Sequence, residues 1–483
     1  MTKPKIFNKF TNFINNLSDK TIEIVGIVLL VVYYFVGLLS YITATVHSIN
    51  RFFTNGSTSA VIIRAFLCLL ICAYCLIVVL KYRLKIKWAW LVIFGFLLAM
   101  TFISIVISPI EYHYMFVENL YKVVHVLDIS PGTSYSIIMF LSSAADFVFG
   151  FCLLFILPFV INKPKKLLFL LLPIVLVGIL ECAYSAIKEK DIYTFLLNNP
   201  DDPFGGYGHE AGATFGNKED WGAFLTVAFA SSLASIFFIK KSKLGIALKI
   251  ALILSCCLFS AFALMSLCKT AILAIGLCVL ILLLGFWVYS FKKTKKLGII
   301  VSCFATVFVA LIVAMFCTNG FGVEILGKVC TYFVNFIVKR ASGSAEARAS
   351  LWLNYLQNVR GYNLFFGMGK AGVPYYTHSI VQEGQSGIHN GFANFFASYG
   401  LIGFIVLLIL LFIVLMNILK IRKNNFLYSF LFLGIFAASI VFVLAESEVL
   451  IISTSNPVFI FNVLTVILPT GLLIQERKQN YEN

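Results

Sequence analysis

KTAILAIGLCVLILLLGFWVYSFKK, residues 269–293, decides the fold class. Residues 270–291 carry no charge, and lysines close both ends. A helix needs about 20 apolar residues to cross a bilayer, so this run predicts a transmembrane helix. Its flanks are unequal. Lys269 stands alone before it, whereas Lys292, Lys293, Lys295 and Lys296 follow. Cytoplasmic loops carry the excess of Lys and Arg. The C-terminal flank is therefore expected inside, and Lys269 at a tight outer turn.

Outward from this run, the same pattern repeats. We expect twelve spans, at 22–44, 60–80, 88–108, 136–160, 167–187, 221–239, 244–264, 270–291, 297–317, 399–419, 426–445 and 457–474. Alternate connections are basic: Lys81 to Lys85, Lys163 to Lys166, Lys240-Lys241, Lys292 to Lys296, Arg422-Lys423 and Arg477-Lys478. By the positive-inside rule these are cytoplasmic, and an even count puts both termini there. Lys3, Lys5, Lys9 and Lys20 precede a first apolar block of full span length, which reads as a retained anchor. The expected fold is all-α: a polytopic helical bundle in the cytoplasmic membrane with a helical extracytoplasmic loop domain. The expected division is 1–317 (spans 1–9), 318–398 (loop) and 399–483 (spans 10–12 and a cytoplasmic tail).

Composition excludes other classes. The chain is 60% hydrophobic and 12% charged, against about 25% charge in a soluble domain. The net charge of +16 resides largely in short clusters between spans, not in a nucleic-acid-binding face. No period-two alternation suggests a β-barrel. Cys68, Cys72 and Cys75 share one span and Cys256-Cys257 another, as small packing residues do. No CxxC pair stands near histidines, so no zinc site is expected.

Three outer segments exceed a turn: 109–135, 188–220 and 318–398. The last is too long to be idle. Phe321, Ile325, Val329, Phe333 and Phe336 recur at helical spacing, predicting an interfacial helix over 321–340. Ser342-Gly343-Ser344 can cap a second helix, with Arg348, Trp352 and Tyr355 on one face. Arg360 and a glycine-rich stretch follow, and His389 opens a helix that runs into the tenth span.

Several side chains could carry chemistry. Arg348 offers a permanently charged planar fork suited to phosphate; it could equally anchor lipid headgroups. His389 can take a proton near neutral pH, with Asn390 beside it; it could equally cap a helix. Gly212 to Asn217 forms a glycine-bracketed turn before a helix, able to present backbone N–H groups to an anion. His209 lies just upstream. Lys269 could meet a phosphate or snorkel. Asp201-Asp202 could hold a divalent metal, although Asn199-Pro200-Asp201-Asp202-Pro203 is also a plain turn.

In order, these pieces resemble the O-antigen ligase and polysaccharide polymerase superfamily. Four stretches carry the likeness: Gly212 to Asn217; Leu264 to Ala274 with Lys269; Ala347 to Trp352 followed by Phe366-Gly367-Met368-Gly369; and His389-Asn390 followed by Phe395-Phe396 and Gly400-Leu401-Ile402-Gly403. The resemblance implies a multispan enzyme that moves a glycan from undecaprenyl pyrophosphate to an acceptor hydroxyl outside the cytoplasm. It implies that Arg348 and His389 are catalytic, Arg348 on the pyrophosphate and His389 on the acceptor. Lys269, His209, Asn217, Arg360, Asn390 and Trp352 would bind substrate. Lys269 and His209 stand where the family commonly has arginine, and Lys218-Glu219 replaces its usual Pro-Asn.

The chemistry implied is consistent with those groups. Leaving pyrophosphate develops negative charge, which fixed cations stabilise without a metal. A base on the acceptor completes one inverting displacement. The expected partners are a lipid-linked oligosaccharide donor, a glycan acceptor and membrane lipids, with no cofactor, metal or nucleic acid. A polymerase of the capsular or O-antigen kind is expected ahead of a ligase. The alternatives are a transporter or flippase for the same lipid-linked glycan and a metal-dependent transferase using Asp201-Asp202.

Overall fold

The structure is a computed structural model. It describes residues 12–39, 58–107, 144–145, 147–199, 211–215, 218–240, 242–324, 326–328, 330–331, 334–335, 352–353, 361–367, 390–422, 425–445, 450–451 and 456–482. Among these residues the chain is helical, with no strand. A bilayer offers no water to backbone polar groups, so apolar runs must satisfy them within a helix.

The helices are α1 (Asp19–Leu39), α2 (Thr58–Tyr82), α3 (Trp88–Ile107), α4 (Phe147–Phe159), α5 (Pro164–Lys188), α6 (Lys190–Asn198), α7 (Lys218–Phe238), α8 (Lys243–Met265), α9 (Lys269–Lys293), α10 (Lys295–Cys317), α11 (Tyr362–Phe366), α12 (Gly391–Ile421), α13 (Phe426–Ala445), α14 (Asn456–Asn462) and α15 (Leu468–Glu482). A π-helical turn at Val463–Ile467 joins the last two. Among the described residues, nine helices are long and apolar enough to cross a membrane. Shorter apolar helices at Phe66–Tyr82, Trp88–Met100 and Phe147–Phe159 fall in the other three expected intervals. Arg64 and Asp146, charged positions within expected spans, have side chains outside the described residues.

Polar residues set several boundaries. Ser242 Oγ accepts from Gly245 N–H at 3.0 Å and opens α8. Thr294 Oγ1 accepts from Leu297 N–H at 3.2 Å and opens α10, while its own N–H closes α9 on Ser290 O. Both are side-chain caps for donors that a helix start leaves orphaned.

The chain forms two compact units. One comprises 1–170, 351–420 and 443–483, and the other 171–350 and 421–442. In the first, Tyr33 of α1 packs on Phe149 of α4 and Phe459 of α14 at 5.2 and 5.1 Å between ring centres. Gly26 lets the Tyr74 hydroxyl of α2 reach Ile22 O at 2.8 Å. In the second, α7 is the hub, with 83% of its apolar stretch buried. Its small residues, Ala223, Ala228, Ala230, Ser231, Ser232, Ala234 and Ser235, admit close neighbours, as packing in membranes requires.

The long connection after α10 begins differently from expectation. Asn319, Gly320, Phe321 and Gly322 all have positive φ, from 48° to 84°. Gly320 N–H reaches Met315 O at 2.7 Å and Asn319 N–H reaches Phe316 O at 3.3 Å, the bond pair of a Schellman stop. The expected helix over 321–340 therefore cannot start at Phe321; helical residues begin at Glu324. Glu324 pairs with Lys328 at 2.8 Å, and that ammonium holds its carboxyl below the usual range.

Candidate functional site

The Gly212–Phe215 turn is buried and held from beneath by acids. Gly212 N–H and Ala213 N–H both donate to Glu189 Oε1 at 2.9 Å. Glu189 Oε2 accepts from Tyr193 OH at 3.1 Å and from Ser185 Oγ. Thr214 Oγ1 donates to Glu181 Oε2 at 2.8 Å. Burial, with help from the neighbouring Glu189, pushes the Tyr193 phenol well above its ordinary range, so it remains a donor. The turn does present N–H groups to an anion, as its glycines suggested. The anion is the protein's own carboxylate, so those two donors are already engaged. Glu189 sits just past α5 and needs compensation there; two backbone donors and two hydroxyls supply it.

This clamp predicts a graded loss of stability. Glu189→Ala leaves two buried N–H groups without a partner and is expected to cost about 2–4 kcal/mol. Glu189→Gln keeps an acceptor and costs less. Thermal melting of the detergent-solubilised protein reads the order; equal melting of both variants and the wild type would refute the clamp.

Lys269 is brought to the same end of this unit. The chain turns at Ser266-Leu267-Cys268, with Leu267 at φ 59°, and Cys268 precedes Lys269 as the residue capping α9. Leu267, Phe262 and Met265 pack on a cluster of Tyr193, Leu196 and Ala211, next to Gly212. From the other side, a Cβ on Gly222 would lie 2.3 Å from Cys268 Sγ, so only glycine lets α7 and α9 meet there. Phe215 stacks on Trp221 of α7 at 5.7 Å and leans on Phe224 at 5.1 Å. The turn, α6, the start of α7 and Lys269 thus form one assembly. Lys269 is partly exposed at the first position of α9, where the helix dipole adds to its positive charge.

In the first unit, Asn390 is buried and its Oδ1 accepts from Ala393 N–H at 3.0 Å. It is the N-cap of α12, which commits the acceptor half of its amide. Trp352 is helical and half-buried. Gly367, after α11, and Gly400, inside α12, are clasped. A Cβ at Gly367 would lie 2.4 Å from the Ser398 carbonyl, and one at Gly400 would lie 2.3 Å from that of Phe365. His389, Arg348, Arg360, His209, Asn217 and the pair Asp201-Asp202 lie outside the described residues.

Residues 252–408 match the family described as O-antigen ligase. Over those residues the chain is similar to the O-antigen ligase family. The stretch matched to the ligase family runs from within α8 to within α12 and contains Lys269, Arg348, Trp352, Arg360, His389 and Asn390. His209 and Asn217 precede it. A search of curated proteins finds no match.

Sequence reasoning missed Glu189 and read Glu181 only as a charged residue near a span end, able to snorkel. Glu181, Ser185 and Glu189 recur every four residues at the end of α5, a spacing that places polar groups on one helix face. That row was the available signal.

Proposed function

We propose that this membrane protein is a glycan polymerase that extends lipid-pyrophosphate-linked oligosaccharide on the outer face of the cytoplasmic membrane, without a metal. The observation that carries this reading is the O-antigen ligase match over residues 252–408, which holds two arginines, a lysine and a histidine singled out for phosphate and proton chemistry. In this reading twelve spans carry the chain, both termini are cytoplasmic, and the 318–398 loop is the outer catalytic element. Arg348 and Lys269 stabilise the diphosphate leaving group as charge develops on it. His389 takes the proton of the acceptor hydroxyl. Arg360, Trp352, Asn217 and His209 contact the donor, and the amide Nδ2 of Asn390 remains to meet a sugar hydroxyl.

The test is direct. Purified protein given only undecaprenyl-pyrophosphate repeat units should make a ladder of longer glycans, with the same yield in EDTA. No ladder until a second, different acceptor is added would reassign the protein as a ligase. Dependence on added metal would move the chemistry to Asp201-Asp202.

A further inference from the structure

In the first unit, α1 and the start of α5 line a groove of about 580 Å³. Its walls are Ile24, Val28, Val32 and Phe169, and Lys20 and Lys166 stand at its mouth. Lys20 and Val32 stand twelve steps apart on one helix, about 18 Å at about 1.5 Å per residue. One leaflet is half of the roughly 30 Å hydrocarbon core. The groove therefore has the depth of a single leaflet, and its volume falls in the range of about 300–1,000 Å³ typical of ligand pockets.

The mouth is basic. Glu23 is buried, and its Oε2 accepts from Lys163 Nζ at 3.4 Å and from Lys166 Nζ. Asp19 Oδ1 accepts from Tyr82 OH at 3.0 Å. Against these two acids stand Lys20, Lys163 and Lys166, with the N-terminal ends of α1 and α5 adding partial positive charge. The Glu23 bridge also fixes the two helix starts at one level, so headgroup charges and chain walls are in register.

We propose that this groove holds one acyl chain of an anionic phospholipid, with its phosphate at Lys20 and Lys166. The apolar walls take the chain, and the one surplus positive charge among these five groups favours an anionic headgroup. This site is independent of the glycan chemistry. It is tested on the full-length protein by native mass spectrometry after exchange with phosphatidylglycerol or phosphatidylcholine. One phosphatidylglycerol should survive activation that strips phosphatidylcholine. Lys20→Gln should lower that retention about fivefold, and Val28→Trp, which fills the groove, should abolish it. Lys20 is exposed, so its variant decides even where Val28→Trp fails to fold. Equal retention of both lipids, or unchanged phosphatidylglycerol retention in Lys20→Gln, overturns the proposal.

Discussion

His389→Ala and Arg348→Ala should each cut glycan extension by about 100-fold or more. The two losses have different causes. Removing His389 leaves the acceptor hydroxyl to lose its proton to water, a poorer and unpositioned base. Removing Arg348 takes the two-pronged contact from the departing diphosphate, and the point charge of Lys269 cannot replace it. Arg348→Lys should therefore recover only part of the rate, because ammonium keeps the charge but not the fork. Rates are read by radiolabel incorporation into polymer, with thermal melting to show that each variant is folded. Full activity in either alanine variant removes that residue from the mechanism. Full activity in both leaves the ligase-family match over residues 252–408 standing and the proposed chemistry without its two principal groups.

How far the sequence could be read follows from how local each feature is. A span is legible because its signal lies within one continuous run, as in residues 270–291, and α9 occupies Lys269–Lys293. The stop after α10 was also local, in Thr318-Asn319-Gly320, but the apolar stripe beginning at Phe321 competed with it. Two glycines that tolerate positive φ let the stop win. The clamp was harder. Glu189 meets Gly212 across 23 residues, and nothing in a glycine-bracketed turn says which anion will fill it. The same pattern fits a bound phosphate and a carboxylate of the protein. Asn390 illustrates a third case: Asn just before a helix is an ordinary cap, and proximity to His389 drew attention from that simpler role. Cys268 was unreadable in function because its importance is steric, set by a glycine on another helix.

Gly400→Ala should destabilise the protein by about 3 kcal/mol or more, one of the largest effects expected of any single methyl group here. Two penalties coincide at that position. Its φ is +65°, and at Gly367 φ is +78°, a region that costs an L side chain about 1–2 kcal/mol. Its Cβ would also stand 2.3 Å from the carbonyl carbon and oxygen of Phe365, which are backbone and cannot swing aside. Gly367 presents the reciprocal problem, 2.4 Å from Ser398 C and O and from Tyr399 N. Each glycine thus receives the backbone that precedes the other, and the end of α11 is locked to the break within α12. The helix bends at Gly400, where ψ is −170°, and Tyr399 is anchored there by Phe395 at 4.6 Å and Phe147 at 5.3 Å. The clasp also explains why glycines recur in both halves of the family-like pattern: two close backbones need one on each side. Gly276→Ala in α9 is the control, since a Cβ there meets nothing within 4 Å and alanine favours helix by about 1 kcal/mol. Melting of Gly400→Ala and Gly367→Ala should fall well below wild type while Gly276→Ala holds or rises. Should the three variants melt together, the backbone contact is not what fixes the loop to the helix.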